Sequence, residues 1–288
     1  MATGALHPGR LIDVQARPRQ LSVQALSWML FIVCIGFYLH VSATRHRENS
    51  EDRVVPSGAQ LLHGIKASVL EPAEEDDALE DGASTWQRIH HSMLWKDTAS
   101  SSRRFFISLA LLVPAILLGL HMAVFPYIGA VCLRFVLFFD KIVALSLLPI
   151  LFIIFGIDEW SKIMLMVIGV APTLILDTYQ MAQAVPREQV VKAFTLKSSN
   201  FDVAYRVVLK QILPQVINSV RLNLKPMVLF LFAGEMIAAT DGLAYRIAIM
   251  RRHMGMDIII PYLLWVAILL YGVDALLRYA NRRLHPWF

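Results

Sequence analysis

Residues 105–155 read FFISLALLVPAILLGLHMAVFPYIGAVCLRFVLFFDKIVALSLLPILFIIF, and the only charges among them are Arg134, Asp140 and Lys141. A hydrocarbon core about 30 Å thick is crossed by roughly 20 helical residues. This stretch therefore holds two spans, with the turn between them near Phe125, Pro126, Tyr127 and Gly129. That reading decides the fold class, an all-α membrane protein. Composition agrees: 57% of the 288 residues are apolar and 17% are charged, against about half and about a quarter in a soluble domain.

Working outward, Leu21 to Val41 carries no charge and forms a first span. The polar residues before it are long for the basic region of a leader peptide and no small-residue cleavage site follows, so an anchor is expected. Ile163 to Ala182, Val216 to Ala239 and Ile258 to Leu277 supply three more spans, the middle one interrupted by Arg221 and Lys225 near its start. Six spans put both termini on one side. Cys34 and Cys132 lie inside apolar runs, which supports neither a disulfide framework nor a Cys-based metal site.

Basic residues near span ends set orientation. The N-terminal tail has Arg10, Arg17 and Arg19 against Asp13, and the C-terminal tail ends with Arg278, Arg282 and Arg283. Residues 183–225 hold seven basic residues against Glu188 and Asp202, so the two tails and this segment are all expected in the cytoplasm. Residues 43–104 hold eight basic and 11 acidic groups and fall outside. The net charge of +5 does not mark a nucleic-acid binder, because the basic residues flank apolar spans instead of forming a patch. The turn near Phe125 should be cytoplasmic, yet residues 122–130 carry no Lys or Arg.

In the outer segment, Glu71 to Asp81 is an acidic run that reads as a solvated loop. Val55 to Leu70 and Trp86 to Trp95 are amphipathic and suit short helices on the membrane surface. His90 and His91 are adjacent and do not converge on a metal. In the inner segment, Pro186 suits a helix start, Glu188 lies in its first turn, and Val190, Ala193 and Phe194 make an apolar face. After Lys197 to Asn200, Phe201, Ala204, Tyr205, Val208 and Ile212 line one face of a second helix, expected to end by Pro214. Two such helices with a basic outer face either ride on anionic lipid or plug into a cytoplasmic partner.

From about residue 55 onward the chain resembles the permease subunits of ABC importers of the nitrate, sulfonate and taurine group. Val55-Pro56-Ser57, Leu148-Pro149-Ile150 through Phe155-Gly156-Ile157 with Ser161-Lys162-Ile163, Gly234-Glu235-Met236 with Gly242-Leu243, and Asp274 with Leu277-Arg278 carry the likeness, in the family's order. The inner segment is similar to the family's EAA loop, which docks into a groove on the ATPase. Val191, Lys192 and Ala193 stand where the family has Glu-Ala-Ala and Lys197 where it has Gly, with Phe194, Leu196 and Pro214 completing the motif. The motif is thus degraded. Lys210 replaces a usual proline, and Val143 and Ala144 stand where the third span commonly has a proline pair. A left-handed turn at position 197, easy for glycine, costs a lysine on the order of 1 kcal/mol.

The resemblance implies a six-helix, type I importer permease-like fold. Its layout would be a cytoplasmic tail over 1–20, an anchor over 21–43, an acidic outer loop over 44–104, a permease core over 105–280 containing the coupling segment 183–214, and a cytoplasmic tail over 281–288. Implied partners are ABC ATPase subunits, an extracytoplasmic solute-binding protein, a second permease chain and the lipid of a bacterial inner membrane. The work implied is import of a small anion of sulfonate, nitrate, taurine or bicarbonate type by alternating access. A non-transporting membrane scaffold or regulator on the same fold is the other reading. No Gly-x4-Gly-Lys-Ser/Thr loop occurs, nor a His-Glu-x-x-His helix or Gly-x-Ser-x-Gly elbow, so neither ATP hydrolysis nor another catalysis is expected on this chain.

Charges inside spans cost at least about 2.5 kcal/mol at mid-bilayer and normally face protein or water. Glu235 matches the family's acidic position and suits a gate or inter-helix hydrogen bond, since a carboxylate repels an anion. Arg134 either draws an anion along the path or snorkels to the surface. Pro149, in the third-span motif, is placed with them on the path or gate. Asp140 and Lys141, as neighbours in a helix, are expected to find partners elsewhere. Met250, Met254, Met256 and His253 are soft ligands at loose spacing, and Met is also a common packing filler, so no metal and no cofactor is expected.

Overall fold

The structure is a computed structural model, and it describes residues 20–48, 54–70 and 92–286. The acidic run Glu71 to Asp81, His90, His91 and most of the Trp86–Trp95 stretch lie outside the described residues. Among the described residues, five helices are long and apolar enough to cross a membrane, and a sixth span arises if one sharply bent helix pair counts as one.

The first compact unit comprises residues 1–60. Its helix α1 (Gln20–Glu48) presents Trp28, Phe31, Ile32 and Phe37 outward, as a span in lipid does. The following segment is tied back to its C-terminal half, with the Tyr38 hydroxyl donating to the Pro56 carbonyl at 2.8 Å and Ser42 Oγ to the same oxygen at 3.2 Å. Ser57 and Gln60 form a reciprocal cap. The Ser57 N–H donates to Gln60 Oε1 at 2.8 Å and the Gln60 N–H to Ser57 Oγ at 3.3 Å, which starts helix α2 (Gly58–Leu70).

The second unit comprises residues 61–288. Helix α3 (Met93–Leu111) runs through a joint at Leu112, followed by Pro114, into α4 (Val113–Val124), the two making one long span. Helix α5 (Pro126–Asp140) leaves at Phe125, where the turn was expected, with proline in its first turn. A 3₁₀ turn (Ala144–Leu147) and helix α6 (Leu148–Phe155) follow, bent by 86° from α5. Gly156, at φ 76°, then leads to α7 (Glu159–Gln183). Next come α8 (Arg187–Thr195), α9 (Asn200–Ala238, including a π turn over Val203–Val208), α10 (Leu243–Arg252) and α11 (Met256–Leu284).

α7 is the central helix, packed on α4 and α9. The core between them holds Phe105, Leu112, Met166, Val170, Leu174, Leu224, Met227 and Leu231. Gly119 on α4 permits that approach, because a Cβ there would lie 2.5 Å from the Ile175 carbonyl oxygen.

Three expectations are corrected. The second span begins at Met93 and not near Phe105, because Asp97, Ser101, Arg104 and Ser108 form a buried polar stripe, one to two turns apart, on a helix whose outer side is apolar. The helix after Asn200 does not stop at Pro214 but runs on to Ala238, because proline removes only the one hydrogen bond to the Lys210 carbonyl while the buried Ile212, Pro214 and Val216 hold the helix in the core on both sides of it. Asp140 and Lys141 do pair with each other, Lys141 Nζ donating to Asp140 Oδ2 at 2.9 Å, because Lys141 caps the end of α5 and its long, exposed side chain can curl back to the adjacent carboxylate.

Candidate functional site

At the end of the bundle where α3 and α7 begin, a cluster of charged side chains is sealed among helices. Arg104 is 2% exposed and uses all five of its N–H donors. Nε donates to Glu159 Oε2 at 2.5 Å, Nη1 to Glu235 Oε1 at 2.7 Å and the Asp241 carbonyl at 3.0 Å, and Nη2 to Glu159 Oε1 at 2.8 Å and to Asp241 Oδ1. Glu235 is fully buried and also accepts from Ser101 Oγ at 2.7 Å and the Ala244 N–H at 3.0 Å. Asp97 accepts from the Gly242 N–H at 3.1 Å, Arg246 Nε at 2.9 Å and the Tyr262 hydroxyl at 3.1 Å. Lys162 Nζ completes the set, donating to Glu159 Oε1 at 3.1 Å.

Three cations thus face four carboxylates, and the cluster joins α3, α7, α9, α10 and α11. Its edge at Asp241 and Glu159 is partly open. Burial opposes the charge on Asp241, but hydrogen bonds from Ser100 and Arg104 overcome it and hold the carboxyl below the usual range. Burial likewise opposes the Arg246 cation, and Asp97 more than compensates. Gly242, at φ 122°, is required here, since a Cβ would stand 2.7 Å from the Glu235 carboxylate. All five Arg104 donors have acceptors and, among the described residues, no buried side-chain nitrogen or oxygen lacks a partner, which is the geometry of a clamp.

The second feature is the segment between α7 and α9. Ala193 is buried against Val185, Val203, Val208 and Ile212, while Val191, Phe194 and Leu196 are exposed at 59%, 47% and 81%. After α8 the Lys197 N–H donates to the Phe194 carbonyl at 2.9 Å and the Ser198 N–H to the Ala193 carbonyl at 3.2 Å. Lys197 lies at φ 59°. This is a Schellman turn with lysine in the left-handed position. Lys192 is exposed on the same helix. Pro214 is buried inside α9, its carbonyl accepting from Asn281 Nδ2 at 3.0 Å. An aromatic patch ties the start of α9 to the α4–α5 elbow. His121 Nδ1 donates to the Leu117 carbonyl at 2.6 Å, leaving Nε2 to accept from the Tyr205 hydroxyl at 3.1 Å, and the Phe125 and Phe201 rings lie 5.6 Å apart.

Of the residues read from the sequence, the structure gathers Val191 through Lys197 on one short helix and its turn. It does not gather Arg134, Pro149 and Glu235: Arg134 and Pro149 are exposed on α5 and α6, whereas Glu235 bonds to Ser101, Arg104 and Ala244. Sequence reasoning missed Arg104, Asp97, Glu159, Asp241 and Arg246. Their signal was the polar stripe at helical spacing on α3, hidden by its position among the charges of the outer segment.

Residues 103–286 match the model of the binding-protein-dependent transport system inner membrane component. The chain belongs to this family. Over 195 residues it is 27% identical to the taurine transport system permease protein TauC of Escherichia coli, covering 67% of this chain and 71% of that protein. A probable ABC transporter permease of Brucella melitensis is 29% identical over 195 residues, 66% of this chain and 78% of the relative. The putative aliphatic sulfonates transport permease protein SsuC of E. coli is 30% identical over 129 residues, 45% of this chain and 47% of the relative. Among solved structures, a chain of the inward-facing MetNI methionine ABC transporter superposes with TM-score 0.50 at 19% identity, covering 66% of this chain and 92% of that chain, which shows the shared fold. The chain is therefore an ABC importer permease subunit, a multi-pass membrane protein of a transport family and not of an enzyme family.

Proposed function

We propose that this permease carries a small anion of sulfonate, taurine, nitrate or bicarbonate type inward by alternating access, driven by separate ABC ATPase subunits that dock on residues 183–214. The observation that carries the docking is the outward apolar triad Val191, Phe194 and Leu196 on a helix whose other side, at Ala193, is buried in the permease itself. Three exposed apolar residues over a buried anchor suit insertion into a groove. The left-handed turn at Lys197 supports the same reading, since it supplies the backbone path the family's glycine would take.

Motion at α8 has a physical route inward. Tyr205 and Phe201 bear on His121 and Phe125, and Phe125 is the elbow from which α5, with Arg134, departs. Arg134 and Pro149 are assigned to the path, and Glu235, locked to Arg104, to the gate as the hinge-side clamp that holds α3, α9 and α10 together. An extracytoplasmic binding protein delivers the solute, a second permease chain completes the pore, and both termini lie in the cytoplasm of a bacterium, as the basic tails require. In this layout 1–20 and 281–288 are tails, 21–43 is the anchor, 44–104 is the outer segment, whose last turns from Met93 already belong to the helix of the second span, and 105–280 is the rest of the core. The relatives are transport permeases, so the scaffold reading is set aside.

Phe194→Asp tests the docking. Tagged permease drawn from native membranes in mild detergent is expected to bring an ABC ATPase with it, and the variant to lose the ATPase while remaining folded. Equal recovery of the ATPase with both proteins would overturn the assignment of this helix.

A further inference from the structure

Helix α5 stops level with the middle of the long, apolar helix α7. Asp140, its last residue, accepts a hydrogen bond from Thr173 at 3.3 Å. Thr173 lies fourteen residues after the start of α7 and ten before its end, or about 21 Å and about 15 Å at 1.5 Å per residue. There the chain turns by 86° before α6 starts at Leu148. Irregular backbone at such depth is tolerated only where it is covered by protein or lines water. The charges sharpen the point. The Lys141 side chain is 77% exposed, and its partner among the described residues is Asp140. Arg134, seven residues earlier and so on the same side of α5, is exposed and makes no hydrogen bond or ion pair among the described residues. Tyr127, Val131 and Phe138 share that exposed stripe. Two cations and one carboxylate leave a net positive site where lipid would exact a large desolvation cost.

We propose that the break after α5 is an anion-contact site on the translocation path, at which Lys141 and Arg134 receive the oxyanion group of the solute. Asp140, anchored by Thr173, holds Lys141 by one of its three N–H donors and leaves two for solute oxygens. Arg134, about 10 Å away along the helix at 1.5 Å per residue, offers a second station with a free guanidinium fork. The site rests on the reading of an anionic solute given above.

The test uses the full importer in its own membranes, with Cys34→Ser and Cys132→Ser removing the native thiols. Phe138→Cys places a reporter between the cations, and Val131→Cys a second one a turn or two nearer the start of α5. Each is treated with two membrane-impermeant methanethiosulfonates, one bearing a sulfonate and one a trimethylammonium group. Both reagents are expected to react, the sulfonate faster. Combining Arg134→Gln with Lys141→Gln should lower the sulfonate-to-ammonium rate ratio about tenfold or more. Protection of both reporters from both reagents, as lipid or a dry interface with a second permease would give, overturns the proposal, as does an unchanged ratio. Because labelling needs no transported substrate, a preserved ratio shift in an importer that takes up no sulfonate would sink the solute assignment alone.

Discussion

Arg104 sets the stakes at the residue scale. Removing a partner from a buried ion network strands the charges opposite it, at a cost of about 3–5 kcal/mol, whereas removing both partners together is milder. Arg104→Met is expected to lower the thermal midpoint in detergent sharply, and Glu235→Gln in the same chain to recover part of the loss; a double variant worse than the sum of the singles would refute the pairing. Arg104→Lys should not rescue, since an ammonium has three donors and cannot span Glu159, Glu235 and Asp241 as the fork does. Lys197 lies at the other extreme, a side chain in the backbone region that suits glycine. Lys197→Gly should stabilise by about 1 kcal/mol, read as a rise of a few degrees in midpoint, and a fall would show that the lysine is held there by contacts of its own.

At the scale of elements, the close approach of α4 to α7 depends on Gly119, and Gly119→Val would press on the Ile175 carbonyl and Thr178. A loss of about 1–3 kcal/mol is expected, visible as a lower midpoint, with Gly119→Ala intermediate. Elements were legible in the sequence wherever one rule acted alone. Apolar length exposed α1, α7, α9 and α11, and Pro126 after Phe125 exposed the elbow before α5. Where two rules competed, the reading slipped. Asp97, Ser101 and Arg104 look like loop because they are polar, and only the partners arriving from α7, α9, α10 and α11, farther along the chain, make them interior. Pro214 looks like a terminator because it lacks an N–H, yet the helix continues past it. The candidate site divided the same way: the coupling helix was legible from local periodicity, and the Arg104 cluster, built from contacts 55 and more than 130 positions apart, was not.

At the largest scale, across the whole second unit, α7 is the axis: the coupling segment, the interrupted α5 and the Arg104 clamp all bear on it or on helices packed against it. Cross-linking the clamp end should therefore arrest transport without disturbing ATPase docking; Ser100→Cys with Asp241→Cys joins two positions already in hydrogen-bond contact. Under oxidation the expected result is uptake lost, and restored by reductant, with the ATPase still co-purifying; uptake unaffected by the bridge would mean that this end stays closed throughout the cycle. The π turn over Val203–Val208 has a bearing on chain length as well. A turn of this kind carries one residue more than an α-helix needs, and each residue of a helix advances the direction of its neighbours by about 100°. The wider turn absorbs that surplus, so the docking helix and the long span keep their relative phase despite it. Losing one codon within this turn should therefore leave the docking face nearly where it is, whereas losing one in the regular helix after Leu209 would swing that face by about 100° and uncouple the machine; the π turn is the one place where this helix tolerates a change of length.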